Sequence, residues 1–121
     1  MKLRIQGDSL RLRLTRSEVA GLHTSGAIEE IAHFVGGRGL TYGIRKFAGG
    51  DAIRAELTDD AITVHVPAGV AEAWATSDEV GMTARDGTLR IAIEKDFRCL
   101  TRPREEEEPD AYPHPAEQLS C

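Results

Sequence analysis

Lys2 to Gly26 reads KLRIQGDSLRLRLTRSEVAGLHTSG, and this stretch decides the fold. Leu3 and Ile5 alternate with Lys2, Arg4 and Gln6, and Leu10, Leu12 and Leu14 alternate with Arg11 and Arg13. A period of two puts alternate side chains on opposite faces of a strand. With Gly7-Asp8-Ser9 as the turn between the runs, they form a hairpin, leucines inward and arginines outward. Then the period changes. Thr15 offers an N-cap oxygen, and Glu18, three residues on, completes a capping box. Val19 and Leu22 share one helical face, and Ser25-Gly26 ends the helix.

The same grammar returns later in the chain. Ile53, Ala55 and Leu57 lead into the polar turn Thr58 to Asp60, and Ile62, Val64 and Val66 lead away from it. A second short helix follows Pro67 and Gly69, from Val70 to about Ala75, anchored by Trp74. Val80, Met82 and Ala84 then join Leu89, Ile91 and Ile93 through Arg85-Asp86-Gly87-Thr88, whose Asp-Gly pair suits a tight hairpin turn. Adding 52 to a residue number maps Leu10 to Ile62, Leu12 to Val64, Leu14 to Val66, Leu22 to Trp74 and Ile28 to Val80. Past the longer loop Val35 to Gly39 the offset is 49, mapping Leu40, Tyr42, Ile44 and Lys46 to Leu89, Ile91, Ile93 and Lys95. Hairpin, helix, hairpin therefore occurs twice.

Neither unit of about 50 residues buries a sheet face alone. The expected fold is α+β and mainly antiparallel β. Two ββαββ units, about 1–48 and 49–100, pack with pseudo-twofold symmetry as a sandwich or small barrel, with a short helix at each end. With three Phe, two Tyr and one Trp, the interior is expected to be aliphatic and tight, without a wide ligand cavity. At 121 residues the chain has room for one such domain over 1–100. A Pro-rich acidic tail, 101–121, holds the run Glu105 to Glu108.

Function classes narrow by exclusion. No apolar run approaches the roughly 18–20 residues that span a bilayer, and Met1 to Gln6 lacks the continuous apolar stretch of a signal peptide. A net charge of -5 argues against a broad nucleic-acid footprint. Arg4, Arg11 and Arg13 form a basic stripe, but without interleaved aromatics it is a weak nucleic-acid signal. Two cysteines, Cys99 and Cys121, make no disulfide framework and point to a cytosolic protein.

Three misfits mark candidate chemistry. Ile28, Glu30, Ala32 and Phe34 share the inward phase, which puts the Glu30 carboxylate on an apolar face. The last strand continues in phase from Ile93 to Lys95, Phe97 and Cys99, with Lys46 at the matching place in the first half. Glu30, Lys46 and Lys95 are thus weak candidates for a catalytic rim site with shifted pKa values. The blander account is that strand ends lie at the solvent boundary, where lysines snorkel and pair with a carboxylate. Asp96, Cys99, Asp110 and His114 are the available ligands for a divalent metal, without the paired spacing of a known site. His23, His33 and His65 read as surface residues.

Two blocks carry a resemblance. The opening MKLRIQGDSLRLRLTRSEV, Met1 to Val19, and the close IEKDFRCLTRPREEEEPDAYPHP, Ile93 to Pro115, resemble a domain family of unknown function among small bacterial proteins. The resemblance implies a shared closing motif of Lys95, Asp96, Phe97, Cys99, Leu100, Asp110 and Pro113. Where such relatives tend to read Phe-Pro-Asn-Pro, this chain has Tyr112-Pro113-His114-Pro115, which weakens His114 as a shared ligand. It also implies that the tail folds back, Tyr112 near Phe97.

The leading expectation is a small interaction or accessory module without catalysis, binding another protein through its tail or a strand edge. The alternatives are a metal- or thiol-dependent protein using Cys99 with Asp96, Asp110 and His114, or a small enzyme using the Glu30, Lys46 and Lys95 rim.

Overall fold

The computed structural model describes residues 1–97. The first half contributes β1 (Lys2–Gln6), β2 (Ser9–Leu14), α1 (Arg16–Ser25), β3 (Ala27–His33) and β4 (Gly39–Phe47). The second contributes β5 (Arg54–Thr58), β6 (Ala61–Pro67), α2 (Ala68–Ala75), β7 (Gly81–Asp86) and β8 (Leu89–Lys95). The two four-stranded sheets have the orders β1-β2-β8-β7 and β3-β4-β6-β5.

Every hairpin is antiparallel as expected, yet neither half makes a sheet by itself. Each sheet takes one hairpin from each half, and the two are stitched by a parallel pair, β2 with β8 and β4 with β6. The duplication extends to the register. Leu12 lies opposite Ile93, and their counterparts Val64 and Ile44 lie opposite each other. The links between elements repeat too: Arg90 N–H donates to the Asp8 carbonyl and Thr41 N–H to that of Asp60. Likewise, Lys46 N–H donates to the Gly26 carbonyl and Lys95 N–H to that of Val80.

That last correspondence corrects one offset. Across the third strands Ile28 faces Ile44 and Met82 faces Ile93, so Ile28 maps to Met82 and not to Val80. The chain between α2 and β7 is longer than the single Gly26 that separates α1 from β3, and Val80 lies outside the strand, exposed. Two further phases stop short. β3 ends at His33 and β8 at Lys95, leaving Phe34 and Phe97 on the surface.

α1 starts as read. Thr15 Oγ1 accepts from Glu18 N–H, Glu18 Oε1 accepts from Thr15 N–H, and Gly26 closes the helix at φ 84°. That left-handed conformation is cheap only for a residue without a Cβ. The two helices do not sit at opposite ends. They touch each other, because the parallel stitching brings together the sheet ends from which both depart. Beneath them Leu10, Leu12, Leu14, Ile91 and Ile93 from one sheet meet Ile44, Val64 and Val66 from the other, with Leu22 and Trp74 plugging the end. The core is aliphatic around a single indole.

Candidate functional site

The inward lysines prove to be helix clamps. Lys46 Nζ donates to the His23 carbonyl (2.9 Å), and Lys95 Nζ to the Ser77 carbonyl (2.8 Å). His23 lies in the last turn of α1, whose carbonyls lack intrahelical donors and carry partial negative charge that an ammonium satisfies, whereas Ser77 lies just past the end of α2. Lys46 also reaches Glu72 on α2 (3.0 Å), whose carboxyl is held below its ordinary pKa by that bond. Lys95 lies over the Trp74 ring, 5.4 Å from its centroid.

Glu30 belongs to a different cluster. The α-amine of Met1 is enclosed and donates to Glu18 Oε2 and Glu30 Oε1, while the Tyr42 hydroxyl donates to Glu30 Oε2 (3.3 Å). At the equivalent places the second half carries Val70 for Glu18, Ala84 for Glu30 and Ile91 for Tyr42, all apolar. The pattern counterpart of Met1 is Ile53, which is buried, so the polar set of the first half has no equivalent in the second. Burial opposes ionisation of Glu18, but bonds from the Met1 amine and the Thr15 backbone override it and lower its pKa to about 2. Burial likewise opposes charge on the amine, and its bonds to Glu18 and Glu30 outweigh this and raise its pKa. For Tyr42, burial and the neighbouring Glu30 charge raise the phenol's pKa.

This ion pair has an acid limit. A carboxyl depressed from 4.5 to about 2 stabilises the fold fully above pH 4.5 and loses that contribution as pH falls through 2. Glu18→Gln keeps the capping box and removes the charge. The expected result is a loss of about 1 kcal/mol at pH 7. The gap should shrink between pH 4.5 and 2, as followed by urea denaturation across pH.

Glu30, Lys46 and Lys95 therefore have separate partners, and no bond joins any two of them among the described residues. Asp96 pairs with Lys2 (3.2 Å). Cys99, Asp110, His114 and the closing tail lie outside the described residues. Among the described residues, no group of three His, Cys, Asp or Glu side chains could hold a metal. A groove of about 750 Å³ lies at the β5–β7 seam. Part of its polar lining is engaged within the protein: Asp86 accepts from Ala55 N–H, and His65 meets Glu56, while Asp51 and Arg54 also line it.

The feature without a structural purpose is the outer face of the first sheet. Lys2 stands opposite Arg13, Arg4 opposite Arg11, and Arg85 opposite Arg90. Like charges directly opposite across a ladder are destabilising. The second sheet supplies an internal control, since its equivalent pairs are Arg54 with His65, Glu56 with Thr63, and Ile31 with Thr41. Glu94 is the acid on this basic face, 3.2 Å from Arg13 and 3.7 Å from Arg11. Sequence reading finds Arg4, Arg11 and Arg13. Lys2 shares the phase of Arg4, but sequence reading misses that Arg85 and Arg90 lie on the same face, because the β2–β8 pairing that brings them there is remote in sequence.

Fold and surface together define a small, mostly β, internally duplicated protein with one cationic sheet face. The chain belongs to a family of unknown function (DUF7009), whose profile matches residues 1–116. Searches of curated proteins and of solved structures gave no match. No helix among the described residues is long and apolar enough to cross a membrane.

Proposed function

We propose that this protein is a non-catalytic interaction module that docks an acidic protein surface on the outer face of its β1-β2-β8-β7 sheet. The observation carrying this reading is the set of three like-charged cross-strand pairs, none of which recurs in the equivalent sheet. Their repulsion costs the free molecule most where no acid offsets it, at Arg85 and Arg90, and an acidic partner would supply carboxylates to the guanidiniums, the strong, geometrically matched pairing. A face of six cations without an aromatic offers no stacking platform for bases, which favours protein over single-stranded nucleic acid. Docking on the face is favoured over docking on the β5 or β7 edge. The edges of β5 and β7 already lie together, and Ala55 N–H there is already bonded to Asp86 (3.1 Å). The small cysteine count fits a cytosolic setting.

Poly-glutamate is the direct probe, titrated against the full chain by fluorescence anisotropy. Binding is expected to weaken with salt and to fall about tenfold or more in Arg4→Glu/Arg11→Thr, which installs charges like those of the second sheet. Arg45→Thr/Arg54→Thr on the opposite sheet should bind like wild type. Equal losses in both double variants would mean a general charge effect and would remove the face from the proposal.

A further inference from the structure

We infer that the Arg85–Arg90 end of this face is a binding site for a phosphoryl group carried on a side chain of the protein partner. This rests on the docking reading above and narrows it from acidic surfaces in general to a phosphorylated one. The two ends of the face differ in how far their charge is already met. At the helix end Lys2 has Asp96 and Arg13 has Glu94, both at 3.2 Å. At the other end Arg85 and Arg90 make no ion pair among the described residues, and Arg11 is only loosely held by Glu94 at 3.7 Å.

The shape changes at the same place. A shallow depression of about 560 Å³ opens there, floored by Ser9, Thr83 and Ala92 and rimmed by Arg11, Arg85 and Arg90. Ser9, Arg90 and Arg85 lie in one row across three strands, and Arg11, Ala92 and Thr83 form the row beside it. Two small hydroxyl side chains and an alanine keep the floor low, so an approaching group reaches the guanidiniums without displacing bulk. The donors outnumber what one carboxylate can use. A carboxylate offers two oxygens and one charge. A phosphate monoester near neutral pH offers three acceptor oxygens and a charge of about −1.5 to −2, which matches two facing guanidiniums. Arg85 opposite Arg90 is a repulsive pair in the free protein, and a bridging dianion turns it into a clamp. The equivalent pair in the second sheet, Ile31 opposite Thr41, has neither the charge nor the repulsion.

Three peptides test this on the full chain by fluorescence anisotropy: a seven-residue acidic peptide with phosphoserine at its centre, the same peptide with glutamate there, and the same with serine. The phosphoserine peptide is expected to bind at least about tenfold more tightly than the glutamate peptide. Arg90→Thr and Arg85→Ile, which copy the second sheet, are expected to abolish that preference while leaving the glutamate peptide bound within about threefold. Both variants relieve a like-charge contact, so their melting temperatures should match or exceed that of wild type. A loss of binding then cannot be assigned to misfolding. Equal affinity for the phosphoserine and glutamate peptides overturns the phosphoryl site and leaves the acidic docking reading standing. Binding of none of the three overturns both. Tighter binding of a duplex DNA of equal charge than of the phosphoserine peptide also overturns the proposal, since the face would then read phosphates on a nucleic acid.

Discussion

Trp74→Ala is expected to lower stability by about 3–5 kcal/mol, the range for removing a fully buried indole. For a domain of this size that is a large part of the total. Trp74 is 1% exposed, and it is the largest side chain in the core. Its removal also deletes the Nε1–H bond to the Val80 carbonyl (3.3 Å) and the ring beneath the Lys95 ammonium. The contacts tie α2 to the residue just before β7 and to the end of β8, so the damage should start where α2 meets them. Equilibrium urea denaturation measures the total, and hydrogen exchange locates it. Leu22 occupies the equivalent place on α1 and is 0% exposed, so Leu22→Ala should cost about 2–5 kcal/mol from the opposite half. A loss below about 1 kcal/mol for Trp74→Ala would mean that the helix end of the core is not the plug described above.

Legibility followed sequence distance. The hairpin pairings, the capping box and the helix stop at Gly26 are set by residues within a few positions of one another and lie where the residue pattern puts them. The three hairpin turns read from the sequence each close on two residues, however (Gly7-Asp8, Asp59-Asp60 and Gly87-Thr88), and β7 starts after Val80. The duplication was legible as a pattern, but the way the halves combine was not. Period-two alternation says which side chains face inward and is silent on which strand lies beside which. Both parallel pairs, β2 with β8 and β4 with β6, join residues of different halves, and no turn chemistry announces such a contact. Glu30 illustrates the limit. Its phase alone puts a carboxylate among apolar residues, whereas its partners, the Met1 amine, Glu18 and Tyr42, converge only in three dimensions. Lys46 and Lys95 occupy matching places in the two halves of the sequence. Their shared role at the helix exits is a consequence of that symmetry.

That shared role gives the second large effect. Lys46→Met and Lys95→Met keep most of the aliphatic stem and remove the ammonium. Lys46→Met strips a charged donor from a part-buried carbonyl of the last turn of α1, an interaction of about 1–3 kcal/mol, whereas the bond lost in Lys95→Met is exposed and its loss should cost about 0.5–1 kcal/mol. The Lys46 side chain is 14% exposed, so water replaces its ammonium poorly and the upper part of that range applies to it. A second readout separates the clamp from simple loss of packing. The Glu72 carboxyl sits below its ordinary pKa of 4.5 chiefly because Lys46 donates to it, with the Lys46 charge adding to the effect. In Lys46→Met its titration, followed by carbon-13 NMR, should move up towards the ordinary value, and in Lys95→Met it should stay where it is. A depressed carboxyl contributes above its unfolded pKa and loses that contribution as pH falls through the folded one. The acid limb owed to Glu72 should therefore disappear in Lys46→Met alone. Two destabilised variants with opposite Glu72 behaviour would establish equivalent clamps that differ only in what else each touches. A Lys46→Met protein as stable as wild type, with Glu72 unmoved, would show that Lys46 is not a clamp.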